Sequence, residues 1–208
     1  MPTPITASTL SALLSAALAQ KPTRPLVLAL DGRCGSGKTT LANALAAQLP
    51  GCTLLRTDAF YLPPAQRSPD WAHTPCANMD LTRLRDEALR PAYAGQPVAY
   101  RAYSCREGAF LPPAQLPAQP LVILEGSYSH HPLLRPYETL RVFVTCTRPS
   151  RPGAYRRGRA PATRILPPGG CRWRRAILRS TALPKARILW WTPLKAGRFR
   201  MASALLWP

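Results

Sequence analysis

The last 61 residues of this 208-residue chain contain no aspartate or glutamate. All nine acidic residues fall between Asp31 and Glu138. In residues 1–147, thirteen Lys and Arg against nine acids leave about +4, whereas fifteen unopposed Lys and Arg put +15 on residues 148–208, together the +19 of the whole chain. The same segment carries eight prolines, from Pro149 to Pro208, and arginine pairs such as Arg156-Arg157 and Arg174-Arg175. No helical or alternating period is sustained there. Unbalanced charge and frequent proline argue against a compact subdomain, so an irregular or disordered extension is expected after a boundary near Thr147.

Other absences narrow the class. No apolar run approaches the roughly 20 residues of a membrane span. No basic residue precedes Lys21, so the positive flank of a secretory signal is missing, and Leu10, Leu13, Leu14, Ala17 and Leu18 follow helical spacing. Residues 8–20 are therefore expected to form an amphipathic packing helix. Six cysteines, at 34, 52, 76, 105, 146 and 171, show neither a C-x-x-C pair nor metal-ligand spacing. Free or buried thiols and a reducing cytoplasm follow. His73, His130 and His131 lack a carboxylate or cysteine at ligand spacing and read as structural.

What is present begins with Gly32, Arg33, Cys34, Gly35, Ser36, Gly37, Lys38 and Thr39, which fit the phosphate-binding pattern G-x-x-x-x-G-K-[ST]. The context suits the motif. Apolar residues 25–30 predict a buried parallel strand before it, and residues 40–49, starting at Thr40, predict a helix closed by Pro50-Gly51. Glycines at 32, 35 and 37 let successive N–H groups turn inward at a helix N-terminus, a nest for polyphosphate. Lys38 would reach the β- and γ-phosphates, and Thr39 would offer a hydroxyl to Mg²⁺. ATP and Mg²⁺ are the expected cofactors.

Phosphoryl transfer also needs carboxylates, and in open α/β sheets ligands gather at the carboxyl ends of parallel strands. Asp58 follows the apolar residues 52–55 and Glu125 follows residues 121–124. If both strands run parallel to the first, Lys38, Thr39, Asp58 and Glu125 share one rim, with Thr39, Glu125 and Asp58 as candidate metal ligands. A helix or turn cap at Asp58 and a solvated strand end at Glu125 are the plain alternatives.

These segments, with Asp58-Ala59-Phe60-Tyr61, Trp71-Ala72-His73-Thr74-Pro75, Asp80, Tyr100-Arg101-Ala102-Tyr103 and Glu125-Gly126-Ser127-Tyr128, resemble uridine kinases and their relatives in the phosphoribulokinase/uridine kinase family. The resemblance covers residues 25–147. It implies a three-layer α/β phosphate-loop fold with a mostly parallel sheet in residues 1–147 and a kinase that transfers the γ-phosphoryl of ATP to a primary hydroxyl of a nucleoside or similar small molecule. It further implies Asp58 as catalytic base, aided by Lys38, and Glu125 near Mg²⁺. The family's base-binding hairpin corresponds to residues 97–110, which lack its histidine. Tyr61, Tyr100 and Tyr103 could stack on an acceptor ring or serve as packing residues.

Residues 148–208 depart from the family. Its arginine-bearing lid belongs after residues 140–146, where Arg156, Arg157 and Arg159 stand in an acid-free context, and its Trp-x-Pro-Leu-Glu segment is missing. With synonymous codons chosen to suit, a one-base shift turns residues 148–156 into Ala-Pro-Glu-Gln-Ala-Arg-Arg-Ile-Ser and residues 169–178 into Trp-Val-Pro-Leu-Glu-Ala-Arg-Tyr-Phe. A frameshift near codon 147 accounts for both. Two rival functions stay open: a nucleotide-binding remnant impaired by loss of the lid, and non-specific nucleic-acid binding through the basic tail.

Overall fold

The computed structural model describes residues 7–144, 189–194 and 198–202. Its centre is a sheet in the order β10-β9-β8-β1-β7-β2, built from β1 (Leu26–Gly32), β2 (Cys52–Arg56), β7 (Leu121–Glu125), β8 (Leu140–Val144), β9 (Leu189–Leu194) and β10 (Arg198–Ala202). The first five strands run parallel, and β10 is antiparallel to β9. β7 is buried at every position because it lies between β1 and β2, with Ile123 opposite Leu28 and Leu54. That placement explains a continuous apolar run in place of alternation.

α1 (Ala7–Ala19) and α2 (Lys38–Gln48) cover one face of the sheet. Leu10 and Leu14 of α1 and Leu41, Ala42 and Leu45 of α2 form one core with Leu28, Leu30, Ile123 and Val142. On the other face, Val27, Val122 and Leu124 pack against Phe60, Leu84, Leu89 and Leu134. The helical residues on that side run through α3 (Leu81–Arg83), a π-helical stretch (Leu84–Leu89) and α4 (Arg90–Tyr93). Two small antiparallel pairs follow, β3 (Val98–Tyr100) with β6 (Ala114–Leu116) and β4 (Tyr103–Ser104) with β5 (Ala109–Phe110).

The three-layer α/β arrangement expected for the first 147 residues is thus present, with α1 displaced by one residue from the predicted 8–20. Within the tail expected to be irregular, residues 189–194 and 198–202 instead continue the sheet as β9 and β10, and its other residues lie outside those described. Leu189-Trp190-Trp191-Thr192 is rich in β-formers but too short to show a period. The expected lid arginines, Cys146 and Cys171, and both segments of the proposed frameshift lie outside the described residues. No helix among the described residues is long and apolar enough to cross a membrane.

Candidate active site

β1 delivers the phosphate loop to the carboxyl edge of the sheet, and α2 leaves it on the far side. The turn between them depends on Gly37, the residue before α2, which adopts φ 95°. A side chain in that left-handed region is strained, whereas glycine is not. Lys38 is buried to 7% exposure, and its Nζ donates to the carbonyls of Gly32 (3.0 Å) and Arg33 (2.9 Å). The ammonium therefore lies against the loop from which it would reach a phosphate. Arg33, Cys34, Gly35 and Ser36 complete the turn, with Cys34 exposed and Ser36 fully buried, and Thr40 follows exposed on α2.

The parallel strands bring the predicted groups to one rim. Thr39 Oγ1 donates to Glu125 Oε1 at 3.0 Å, and Glu125 lies in register with Leu30 of β1 and Arg56 of β2. Burial pushes the Glu125 carboxyl up from its ordinary value, and nearby Asp58 adds to that rise. The Thr39 hydrogen bond and the charges of Lys38 and Arg56 oppose it. Glu125 is followed by Gly126, where a Cβ would collide with the Thr57 side chain. That contact lets the chain after β7 pass against the turn bearing Asp58, so glycine is needed there for space.

Asp58 sits in a 3₁₀ turn (Thr57–Phe60) that continues β2 past the sheet edge. Its Oδ1 accepts from the Tyr61 hydroxyl at 3.2 Å. Burial and the adjacent Asp58 charge hold the Tyr61 hydroxyl well above its usual value, so it remains a donor. Among the other candidate tyrosines, Tyr100 is half-buried with its ring 5.0 Å from Phe60, and Tyr103 is buried edge-on to Phe110. That position suits packing for Tyr103. Tyr100 also lines an open cleft of about 390 Å³ with Arg83, Glu87, Arg101 and Phe110.

Hard oxygen donors at Thr39 and Glu125 fit Mg²⁺, which takes one or two carboxylates together with phosphate oxygens. Among the described residues, no group of three or more His, Cys, Asp or Glu could hold a metal unaided.

Two structural residues escaped the motif reading. Arg56 bonds Glu125 Oε2 at 3.3 Å and Asn43 Oδ1 at 2.8 Å. Asp31, next to the first loop glycine, accepts from the Gly32 N–H (2.6 Å) and the His130 N–H (3.2 Å), while the His130 ring meets the Ala29 carbonyl at 3.1 Å. His130 thus has the structural role expected of it. The position of Arg56 at the end of an apolar strand, one residue short of the Asp58 turn, was its available signal.

No family model matches the chain, and no curated protein matches it either. Among solved structures, a "possible uridine kinase" from Bacillus stearothermophilus is similar at 22% identity and a TM-score of 0.56, covering 66% of this chain and 78% of that one. A "putative fructose transport system kinase" from Silicibacter sp. TM1040 is similar at 22% identity and a TM-score of 0.52, covering 64% of this chain and 73% of the other. The parallel sheet, the loop after β1 and these two likenesses together give the chain the fold of phosphate-loop kinases.

Proposed function

We propose that the chain is an ATP-dependent phosphotransferase of the uridine kinase type, acting on a primary hydroxyl of a nucleoside or a similarly small polyol. The observation that carries this reading is the Thr39–Glu125 hydrogen bond beside Lys38, with the Asp58–Tyr61 pair on the same rim. The loop N–H groups and Lys38 would bind the triphosphate, and Thr39 and Glu125 would hold Mg²⁺. Bound with the nucleotide, that cation neutralises phosphate charge.

Asp58 would take the proton. Tyr61 occupies Oδ1, which leaves Oδ2 for the acceptor hydroxyl. As the hydroxyl oxygen forms its bond to the γ-phosphorus, its proton passes to Asp58 and the bond to the β,γ-bridging oxygen breaks, releasing ADP. Tyr61 would hold the carboxylate rather than stack on the acceptor, and Tyr100 lines an open cleft together with Phe110. A coupled ATP-consumption assay across ribonucleosides, with fructose and other sugars alongside, tests the reading. Acceptor-dependent ADP formation by the parent and its loss in Asp58→Asn are expected, and ADP formation indifferent to every acceptor overturns it.

A further inference from the structure

Arg56 holds a position that phosphate binding does not explain. It ends β2 directly beside Glu125 in register, and its Nη1 lies 3.3 Å from Glu125 Oε2. Thr39 takes the other oxygen, so both oxygens of the carboxylate placed for a cation are engaged. The guanidinium side chain is 40% exposed and Glu125 only 7%, which puts Arg56 on the open side of the carboxylate. Nη2 has its own tie to Asn43 Oδ1 on α2 at 2.8 Å. The side chain thus keeps one partner if it gives up Glu125.

Charge balance gives this geometry a consequence. Around Glu125 the charges of Lys38 and Arg56 oppose those of Glu125 and Asp58, and the described residues offer no cluster of three ligands that binds a cation alone. A free divalent cation gains little there, whereas one carried on a polyphosphate brings its own counter-charge.

Resting on the kinase reading above, we propose that Arg56 is a positioning residue that makes cation binding depend on the nucleotide: it occupies the outer oxygen of Glu125 and yields it when the metal arrives with the triphosphate. An ordinary surface ion pair contributes little and would be indifferent to metal. The proposed role predicts a gain of function on removal.

Mn²⁺ serves as the probe, with free ion followed by paramagnetic resonance on the full chain and no nucleotide present. Repulsion between a guanidinium and a divalent ion a few ångströms apart is worth on the order of tenfold in affinity even in a water-like dielectric. Arg56→Gln should therefore bind Mn²⁺ on the order of tenfold more tightly than the parent. Arg56→Lys, which keeps the charge, should stay close to the parent, and the gain should vanish in Arg56→Gln combined with Glu125→Gln. Should the glutamine variant fail to fold by circular dichroism, Arg56→Met carries the same expectation. An unchanged or weakened affinity overturns the inference, as does an equal gain in the lysine variant or a gain that survives loss of Glu125. Calorimetric ATP titrations of the same proteins separate the two claims. ATP binding with unaltered Mn²⁺ affinity sinks only the role of Arg56, and no ATP binding in any of them overturns the kinase reading as well.

Discussion

Lys38 is nearly buried, but its Nζ donates to the loop carbonyls of Gly32 and Arg33, so Lys38→Ala should cost ATP binding far more than it costs folding. Calorimetry showing parental ATP affinity in that variant would refute the assignment. Asp58→Asn keeps the Tyr61 contact in shape but removes the proposed base, so turnover should drop by about 10² to 10⁴ with ATP affinity retained. Lys38 stood out in the sequence because the phosphate-loop pattern fixes its type and spacing, and Asp58 because it follows an apolar strand. Glu138 was not, since nothing in its neighbourhood of the sequence marks it as buried. Its side chain is fully enclosed, and burial pushes its carboxyl up to about 8 despite the Arg141 guanidinium 3.6 Å away, with Asp31 adding to the rise. Burial is the stronger influence here, because Arg141 lies beyond hydrogen-bond range and both carboxylate oxygens lack a hydrogen-bond partner. A folded value above the unfolded one means that the folded state binds the proton more tightly. The associated stability is present in full below pH 4.5 and is lost as pH rises through about 8. Relative to Glu138→Gln, the parent should therefore lose thermal stability between these limits. A pH-independent difference between their melting temperatures would show that Glu138 titrates normally.

Among the elements, β1, β2 and β7 were readable from short apolar runs and β8 only through the family resemblance, and both faces of β7 are filled because it is an interior strand of a covered sheet. Ile123→Ala removes a fully buried side chain from that strand and should cost about 2 to 5 kcal/mol in urea unfolding. A change within about 0.5 kcal/mol, the range of exposed sites, would contradict the packing. The π-helical residues 84–89 could not be read from hydrophobic period, because their cause lies downstream. Pro91 cannot donate to the Glu87 carbonyl and its ring crowds that position, so the preceding turn widens and the Arg90 N–H reaches back five residues to Arg85. Periodicity could not show the pairs β3–β6 and β4–β5, since strands of two or three residues carry no measurable alternation, and only the resemblance placed a hairpin over 97–110, where β4 and β5 pair.

For the molecule as a whole, the change of composition near Thr147 comes just after Val144, where β8 ends. The shared rim was legible from the loop and the two strand-end carboxylates, whereas the order of the strands was not, because pairing between distant segments leaves no local signal. Beyond it, the sequence offers charge without acids and no period, and the likeness to the Bacillus stearothermophilus structure covers 66% of the chain, close to the share that precedes the step. β9 and β10 continue the sheet beyond β8. We predict that the gene is open in the alternative frame across codons 148–178 and encodes there the lid-like and Trp-Val-Pro-Leu-Glu segments. A protein made with that C-terminus should bind ATP through the same loop and turn over about 10³-fold faster or more, the effect of restoring a transition-state arginine. The comparison is a single assay of the two proteins at equal ATP and acceptor. Stop codons in the alternative frame, or equal turnover by both proteins, would mean that the basic C-terminus belongs to the working form of the molecule.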